Sequence, residues 1–477
     1  MSNAVRSGVV PALVVFPVVH TPCEQGRKQI ARNLRHSQAM AGQSDGWITT
    51  ARVLRRTGFG VTGAQVDAVA AQDWSKYVDA ALGADPDADL GAVATPMPKL
   101  PTLRRPGKGA SVADRKEFNQ RLSGQMTELS QWWLRRMTAV QQPIHEKLTL
   151  LWHNHFATSA VKVRVASQMA AQNQKLRNLS LGDFRSLAYA MLTDAAMLRW
   201  LDAQTNTAKA PNENLAREFM ELFTLGHGNG YTEDDVRQGA RALTGWVIRP
   251  GGETSMMPRR HDHTPKTIFG VTGNFDASGF CDTVLAQPKS PQYVAGRLWQ
   301  QLASDTPPSP QALDRLVTAY GPGRNLRSLT HAILTDDEFV KSRAAIVNTP
   351  VEWLVGVVRT LGISVDAPAR LKLLNATLRA LGQRPFYPPD VGGWPHGRVW
   401  MSTASADVRM RAASQLARAG DLSSVEDAAA DDRIDAVGYL IGVGAWSDRT
   451  VTALEPLVRK PVQLVAAAVN TPEYLTS

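Results

Sequence analysis

The segment Asn212-Glu-Asn-Leu-Ala-Arg-Glu-Phe-Met-Glu-Leu-Phe-Thr-Leu-Gly226 carries the periodicity that governs the rest of the chain. Leu215, Phe219, Leu222 and Phe223 recur at i, i+4, i+7 and i+8, the spacing of a buried stripe on an α-helix. Asn212 is placed to cap its start and Gly226 its end. Glu213, Arg217 and Glu221 fall on the opposite face at the i, i+4, i+8 spacing of a salt-bridge ladder.

Working outward, the same helical pattern recurs over about 47–82, with Thr62 as N-cap of a helix starting at Gly63, and over about 112–140, 143–156, 164–178, 181–201 and 233–246. It resumes from about 279 to 381 and fills the C-terminal 75 residues. Residues 83–111, rich in Pro, Gly and Asp, read as a loop, and so does Pro385–His396. The stretch 247–275, with Gly, Pro and Thr between short apolar runs, reads as an irregular β-hairpin or long loop. No βαβ alternation occurs, so the expected class is all-α, multi-helical, with a small β insert around 247–275. The organisation expected is a basic, poorly ordered tail over 1–46 and one large helical domain over 47–477, with a subdivision near 276 into 47–275 and 276–477.

One internal echo supports a modular build. Residues 184–200 align without gaps to 326–342 with seven identities, and the end of the chain repeats the scheme loosely. Thr335 with Glu338 fits a capping box, and Thr471-Pro472 puts proline at a first helical position.

Composition narrows the function classes. Of 477 residues, 43% are hydrophobic and 20% charged, with 12 Trp, 12 Phe and 8 Tyr, which excludes wholesale disorder. Cys23 and Cys281 are the two cysteines, so a disulfide scaffold, a structural zinc knuckle and an iron–sulfur cluster are excluded. The formal charge is +10, and residues 1–60 hold eight cations against Glu24 and Asp45. Trp47 is the one aromatic near that cluster, so nucleic acid is not the expected partner. Residues 6–19 imitate a signal peptide, but two prolines interrupt them and no small-x-small cleavage site follows, and Met40 offers an alternative start. No apolar run reaches the ~18 residues of a bilayer span. The expected location is cytoplasmic. GxxxxGK[ST], GxGxxG and GxSxG are all missing, against a P-loop, a typical Rossmann fold and an α/β-hydrolase.

Four constellations carry polar chemistry. His153 and His155 point about 200° apart on a continuous helix, so they converge on one metal only if the helix ends there, and a core role for His155 is the plainer reading. Glu218 and Glu221, ~60° apart, suit an acid/base pair or metal ligation, with a solvated helix face as the alternative. His261 and Asp262 sit in Arg259-Arg-His-Asp-His263-Thr-Pro-Lys266, where an extended HxH turns both imidazoles to one side and Lys266 is able to hold an anion. Gly392-Gly-Trp394-Pro-His396 makes either a pocket wall or a tight turn around a packed indole.

These stretches also carry a resemblance. Leu151-Trp-His-Asn-His-Phe156, Asn212-Glu-Asn-Leu-Ala-Arg-Glu218, Glu221-Leu-Phe-Thr-Leu-Gly226, Tyr231-Thr-Glu-Asp-Asp-Val236, Ala242-Leu-Thr-Gly-Trp246, His261-Asp262 with Lys266-Thr267, the Gly-Trp-Pro turn and Leu54–Gly60 occur in the order seen in a large bacterial domain-of-unknown-function family, numbered eighteen hundred. The resemblance spans roughly 47–477. It implies no settled activity. It points to a protein partner of the alkaline-phosphatase or sulfatase type, and its motif positions fall on His153, His155, Glu213, Glu218, Glu221, His261, Asp262 and Lys266.

Two functional expectations follow. The first is a metal-dependent hydrolase or oxidoreductase. His153, His155, His261 and Asp262 would bind zinc, manganese or iron, and Glu218, Glu221, Arg217 and Lys266 would act on the substrate. The second is a non-catalytic helical scaffold that docks a partner protein, with those residues in ion pairs and caps.

Overall fold

Side-chain caps set most helix starts. Thr62 and Gln65, Ser111 and Asp114, Thr232 and Asp235, and Thr349 and Glu352 each form a reciprocal capping box, satisfying two otherwise orphaned N–H groups per helix. The computed structural model describes residues 42–341 and 346–476. The expected basic tail therefore lies outside the described residues up to position 41, and Ser44 caps the first helix, Asp45–Arg56.

Helices make up 61% of the structure and strands 4%, which places it in the all-α class. The insert holds two antiparallel hairpins, β1 (Trp246–Ile248) with β2 (Thr254–Met256) and β3 (Lys266–Ile268) with β4 (Val271–Gly273). The helical segment expected over about 47–82 holds three helices, Asp45–Arg56, Gly63–Ala70 and Trp74–Gly83, and the second starts at Gly63 behind Thr62 as expected. Gly60, at φ 67°, breaks it because the backbone of Gly356 leaves no room for a side chain, and Asp73, at φ 72°, breaks it again. No described helix is long and apolar enough to cross a membrane.

Burial divides into two large cores. One draws on Leu187, Met191, Phe219, Phe223, Phe280, Leu298 and Leu329; the other on Trp133, Trp353, Val357, Leu374, Leu416 and Val465. The first core runs through position 276 without a break, since Ile268, Ala277 and Phe280 all belong to it. Helix Ile144–His155 lies between the cores and is buried at all twelve positions, giving Leu148 and Trp152 to one and Leu150 to the other.

The internal echo has a structural counterpart. Asp183 and Asn325 cap the corresponding helices Phe184–Leu192 and Leu326–Thr335, and they pair with each other in an isolated antiparallel bridge. Thr335 does not cap the next helix. Asp336 accepts from the Glu338 N–H at 2.8 Å, as Asp194 accepts from Ala196 in the other copy, because a carboxylate one residue later outbids the hydroxyl. Glu338 turns instead to the Ser309 backbone N–H and hydroxyl. Thr471-Pro472 starts its helix as expected.

Candidate functional site

The buried helix Ile144–His155 anchors the centre of the molecule. Glu146 accepts from Arg136 Nε at 2.6 Å, from Arg177 Nε and an Arg177 terminal nitrogen at 2.6 and 2.9 Å, and from Trp133 Nε1 at 2.8 Å. Burial works to raise its pKa, and the two guanidiniums more than offset this. One residue on, Lys147 pairs with Glu352 where the cores meet. Two narrow clefts, each with room for little more than a water molecule, flank that pair.

His153 and His155 leave the same helix on different sides. His153 sits among Trp133, Phe386 and Trp394, with ring centroids 5.4–5.6 Å away, and its Nε2 has no partner among the described residues. His155 packs against Phe156 and Phe223, and its Nε2 lies 2.9 Å from the Phe223 carbonyl, so that nitrogen carries the proton. Burial lowers both imidazoles to about 3. They are neutral core histidines and share no ligand position.

That assignment predicts a pH dependence. The unfolded chain takes up a proton at each histidine below about 6.5 and the folded chain does not, so stability rises with pH between about 3 and 6.5 and is lost on acidification. At pH 5 the loss is about 2 kcal/mol per histidine. Urea unfolding at pH 7 and pH 5 should show it, and His153→Phe should remove roughly half; an unchanged slope in that variant would contradict the assignment.

The decisive stretch does not remain α-helical. Asn214–Glu218 is an α-helix, and Phe219–Thr224 continues it as a π-helix. Glu213, not Asn212, is the N-cap, and Asn212 Oδ1 accepts from the Asn214 N–H at 3.0 Å in the turn just ahead of it; Gly226 follows the end at φ 89°. The wider turn leaves carbonyls for side chains: Tyr293 donates to the Leu222 oxygen at 2.6 Å, and His155 to that of Phe223. The expected ladder stops at this turn. Arg217 bridges Glu213 at 2.9 Å and Glu233 at 2.7 Å, while Glu221, beyond the change of helix, turns to other partners.

Those partners make a polar shelf. His227 Nδ1 lies 2.5 Å from a Glu221 carboxylate oxygen, and Tyr231, whose hydroxyl accepts from the Gly228 N–H at 3.5 Å, lies close enough for the Glu221 charge to add to burial in raising its pKa. His227 stands on a tip whose glycines 226, 228 and 230 all have positive φ. A side chain at Gly226 would collide with the Tyr293 ring, so the tip and that tyrosine are held close. Glu218, one turn before Glu221, is half-buried and has no hydrogen-bond partner among the described residues. Burial and the neighbouring Glu221 carboxylate raise its pKa. Two glutamates one turn apart thus sit in contrasting surroundings, one held by a histidine and one open.

The third stretch lies elsewhere. His261 Nδ1 is 3.0 Å from the Thr244 carbonyl, and Asp262 pairs with Arg241 at 2.8 Å. Burial works to raise the Asp262 carboxyl, but Arg241 and Thr264 hold it far below the ordinary carboxylate range. Lys266 is buried and donates to the Asp262 carbonyl and to Asn274 at 3.3 Å. Among the described residues, no three His, Cys, Asp or Glu side chains are grouped so as to hold a metal ion. His153, His155, His261 and Asp262 therefore do not assemble as the expected ligand set. Arg217 is bonded to Glu213 and Glu233, with its charge still close enough to oppose part of the rise at Glu218, and Lys266 is bonded to its own partners. The Gly-Trp-Pro turn buries its indole: the Trp394 backbone N–H donates to Asn154 Oδ1 at 2.6 Å, and Gly393, at φ 88°, leaves no room for a β-carbon against Asn154.

His227, Tyr231, Tyr293, Lys147 and Glu352 were not among the residues expected at a site. A histidine isolated between glycines just after a helix end is the signal that would have found His227. The family model described as "Protein of unknown function (DUF1800)" matches residues 52–476. No curated protein and no solved structure matches the chain.

Proposed function

We propose, since the chain belongs to the DUF1800 family over residues 52–476, that the shelf shared by two of its motif stretches is the reaction centre of an acid–base enzyme, of the hydrolase class. The observation that carries this reading is the contrast between Glu218, open and raised by burial, and Glu221, bonded to His227 with Tyr231 beside it. In this reading the Glu218 carboxylic acid gives its proton to the leaving group. Glu221, with His227, accepts a proton from the attacking water. His155 is a positioning residue, acting through the Phe223 carbonyl on the π-turn that presents both glutamates. The test is turnover of chromogenic esters, glycosides and phosphomonoesters by the wild type and by Glu218→Gln. Support is a substrate hydrolysed by the first and not the second; hydrolysis that survives the substitution would overturn the reading.

A further inference from the structure

Helix Val112–Ala139 is 28 residues long, but its first half covers no core. No position from Val112 to Gln125 is buried, and Met126 is the first that is. At 1.5 Å per residue that half is about 20 Å long. The segment preceding it runs back alongside. Trp132 Nε1 donates to the Thr95 carbonyl, Gln125 to that of Pro101 and Arg115 to that of Lys108, each at 2.9 Å. Helix and strap together form a two-ply arm, fastened at three points along its length.

The arm is strongly cationic. Between Lys99 and Arg121 it carries Lys99, Arg104, Arg105, Lys108, Arg115, Lys116 and Arg121 against Asp114 and Glu117, half of the formal +10 of the chain. None of these cations has an ion-pair partner among the described residues, whereas Arg136, at the buried end of the same helix, is paired. Asp114 is already occupied by the capping box with Ser111. Cations left unpaired on a protruding element repel one another, and an anionic surface relieves that repulsion.

We propose that this arm docks into an acidic cleft of a partner protein. Three features favour that occupant. On the helix, Arg115, Lys116 and Arg121 lie at about 0°, 100° and 240° around the axis, so a flat anionic bilayer meets only some of them and a concave surface meets all. A bare helix is already about 10–12 Å across, and with the strap the arm exceeds the ~12 Å major groove of duplex DNA. Phe118 is the one aromatic between Lys99 and Gln125, which leaves single-stranded nucleic acid without stacking platforms. Four of the seven cations are arginines, whose planar forks match carboxylates in pairs.

The test uses the full chain and a defined probe, poly-L-glutamate of about 50 residues, with a duplex of about 30 base pairs and phosphatidylserine vesicles alongside. One variant carries Arg104→Gln, Arg105→Gln, Arg115→Gln and Lys116→Gln, all at exposed positions. A second loses the same charge elsewhere on the surface, through Lys289→Gln, Lys372→Gln, Arg418→Gln and Arg459→Gln. Circular dichroism checks that both fold. The expected result is at least a tenfold loss of polyglutamate affinity in the arm variant and less than about twofold in the second. Equal losses in the two variants, an unaffected arm variant, or no wild-type binding would overturn the proposal. So would duplex or vesicle binding that is tighter than polyglutamate binding and depends on the arm.

Discussion

Replacing Glu146 by Ala is expected to destabilise the protein by about 3–5 kcal/mol, the cost of stripping the counter-ion from a buried pair. Arg177 is fully buried and Arg136 nearly so, and each points its Nε at the same carboxylate oxygen at 2.6 Å. Without that oxygen Arg177 keeps Asn173 and Gln174 as acceptors, and Arg136 keeps the Pro86 carbonyl and a distant Asp87. Among the described residues no other carboxylate pairs with Arg177. The Trp133 indole also loses its acceptor. Two controls separate charge from packing. Glu146→Gln keeps an acceptor for Trp133 but no charge, and should recover little. Glu146→Leu with Arg177→Met removes both members of the tightest pair, and should be more stable than Glu146→Ala. Urea midpoints measure all three, and equal midpoints for Glu146→Ala and the wild type would show that the centre is not held by this ion cluster.

The second large effect concerns the shelf. With a substrate in hand, Glu218→Gln should lower kcat by about 10²–10⁴-fold with a small change in KM, because a positioned general acid contributes that much to the chemical step and little to binding. The wild-type rate should fall as pH rises through the raised pKa of Glu218, the direction in which the acid form is lost. Glu221 is one cause of that raise. In Glu221→Gln, whatever rate remains should therefore have its alkaline limb moved to lower pH. An alkaline limb that stays in place would mean that the two carboxyls are not coupled.

Much of this architecture was legible in the sequence because periodicity reports burial directly. The stripe Leu215, Phe219, Leu222, Phe223 marks a helix whose first, second and fourth members reach a core, with Leu222 partly buried against it. Thr62 and Thr471-Pro472 mark helix starts by local chemistry alone. The pair Glu218 and Glu221 was visible as two carboxyls on one face. The π-turn was not, since it depends on Tyr293 and His155 taking the carbonyls of Leu222 and Phe223 from 71 and 68 residues away. Spacing along the chain likewise gave no means of telling that His261 bonds Thr244 and that His155 bonds Phe223. His261 read as a ligand and His155 more plainly as a core residue, and the carbonyl that each one bonds was not visible in the spacing. The Glu221–His227 contact needs the glycine tip to fold back six residues, and Lys147–Glu352 spans 205, distances over which pattern carries no information.

The central claim is that Glu218 holds its proton to a higher pH than an ordinary surface glutamate, and this is testable without a substrate. A diazo reagent esterifies a carboxylic acid but not a carboxylate, forming the ester with loss of dinitrogen. Labelling the native protein from pH 4 to 8, followed by peptide mass spectrometry, gives a midpoint for each accessible carboxyl. Glu218 should label with a midpoint above the ordinary glutamate range, and Glu221→Gln should lower that midpoint. A Glu218 midpoint inside the ordinary range and unmoved by Glu221→Gln would contradict this, and the shelf would then be a solvated helix end with no acid to offer.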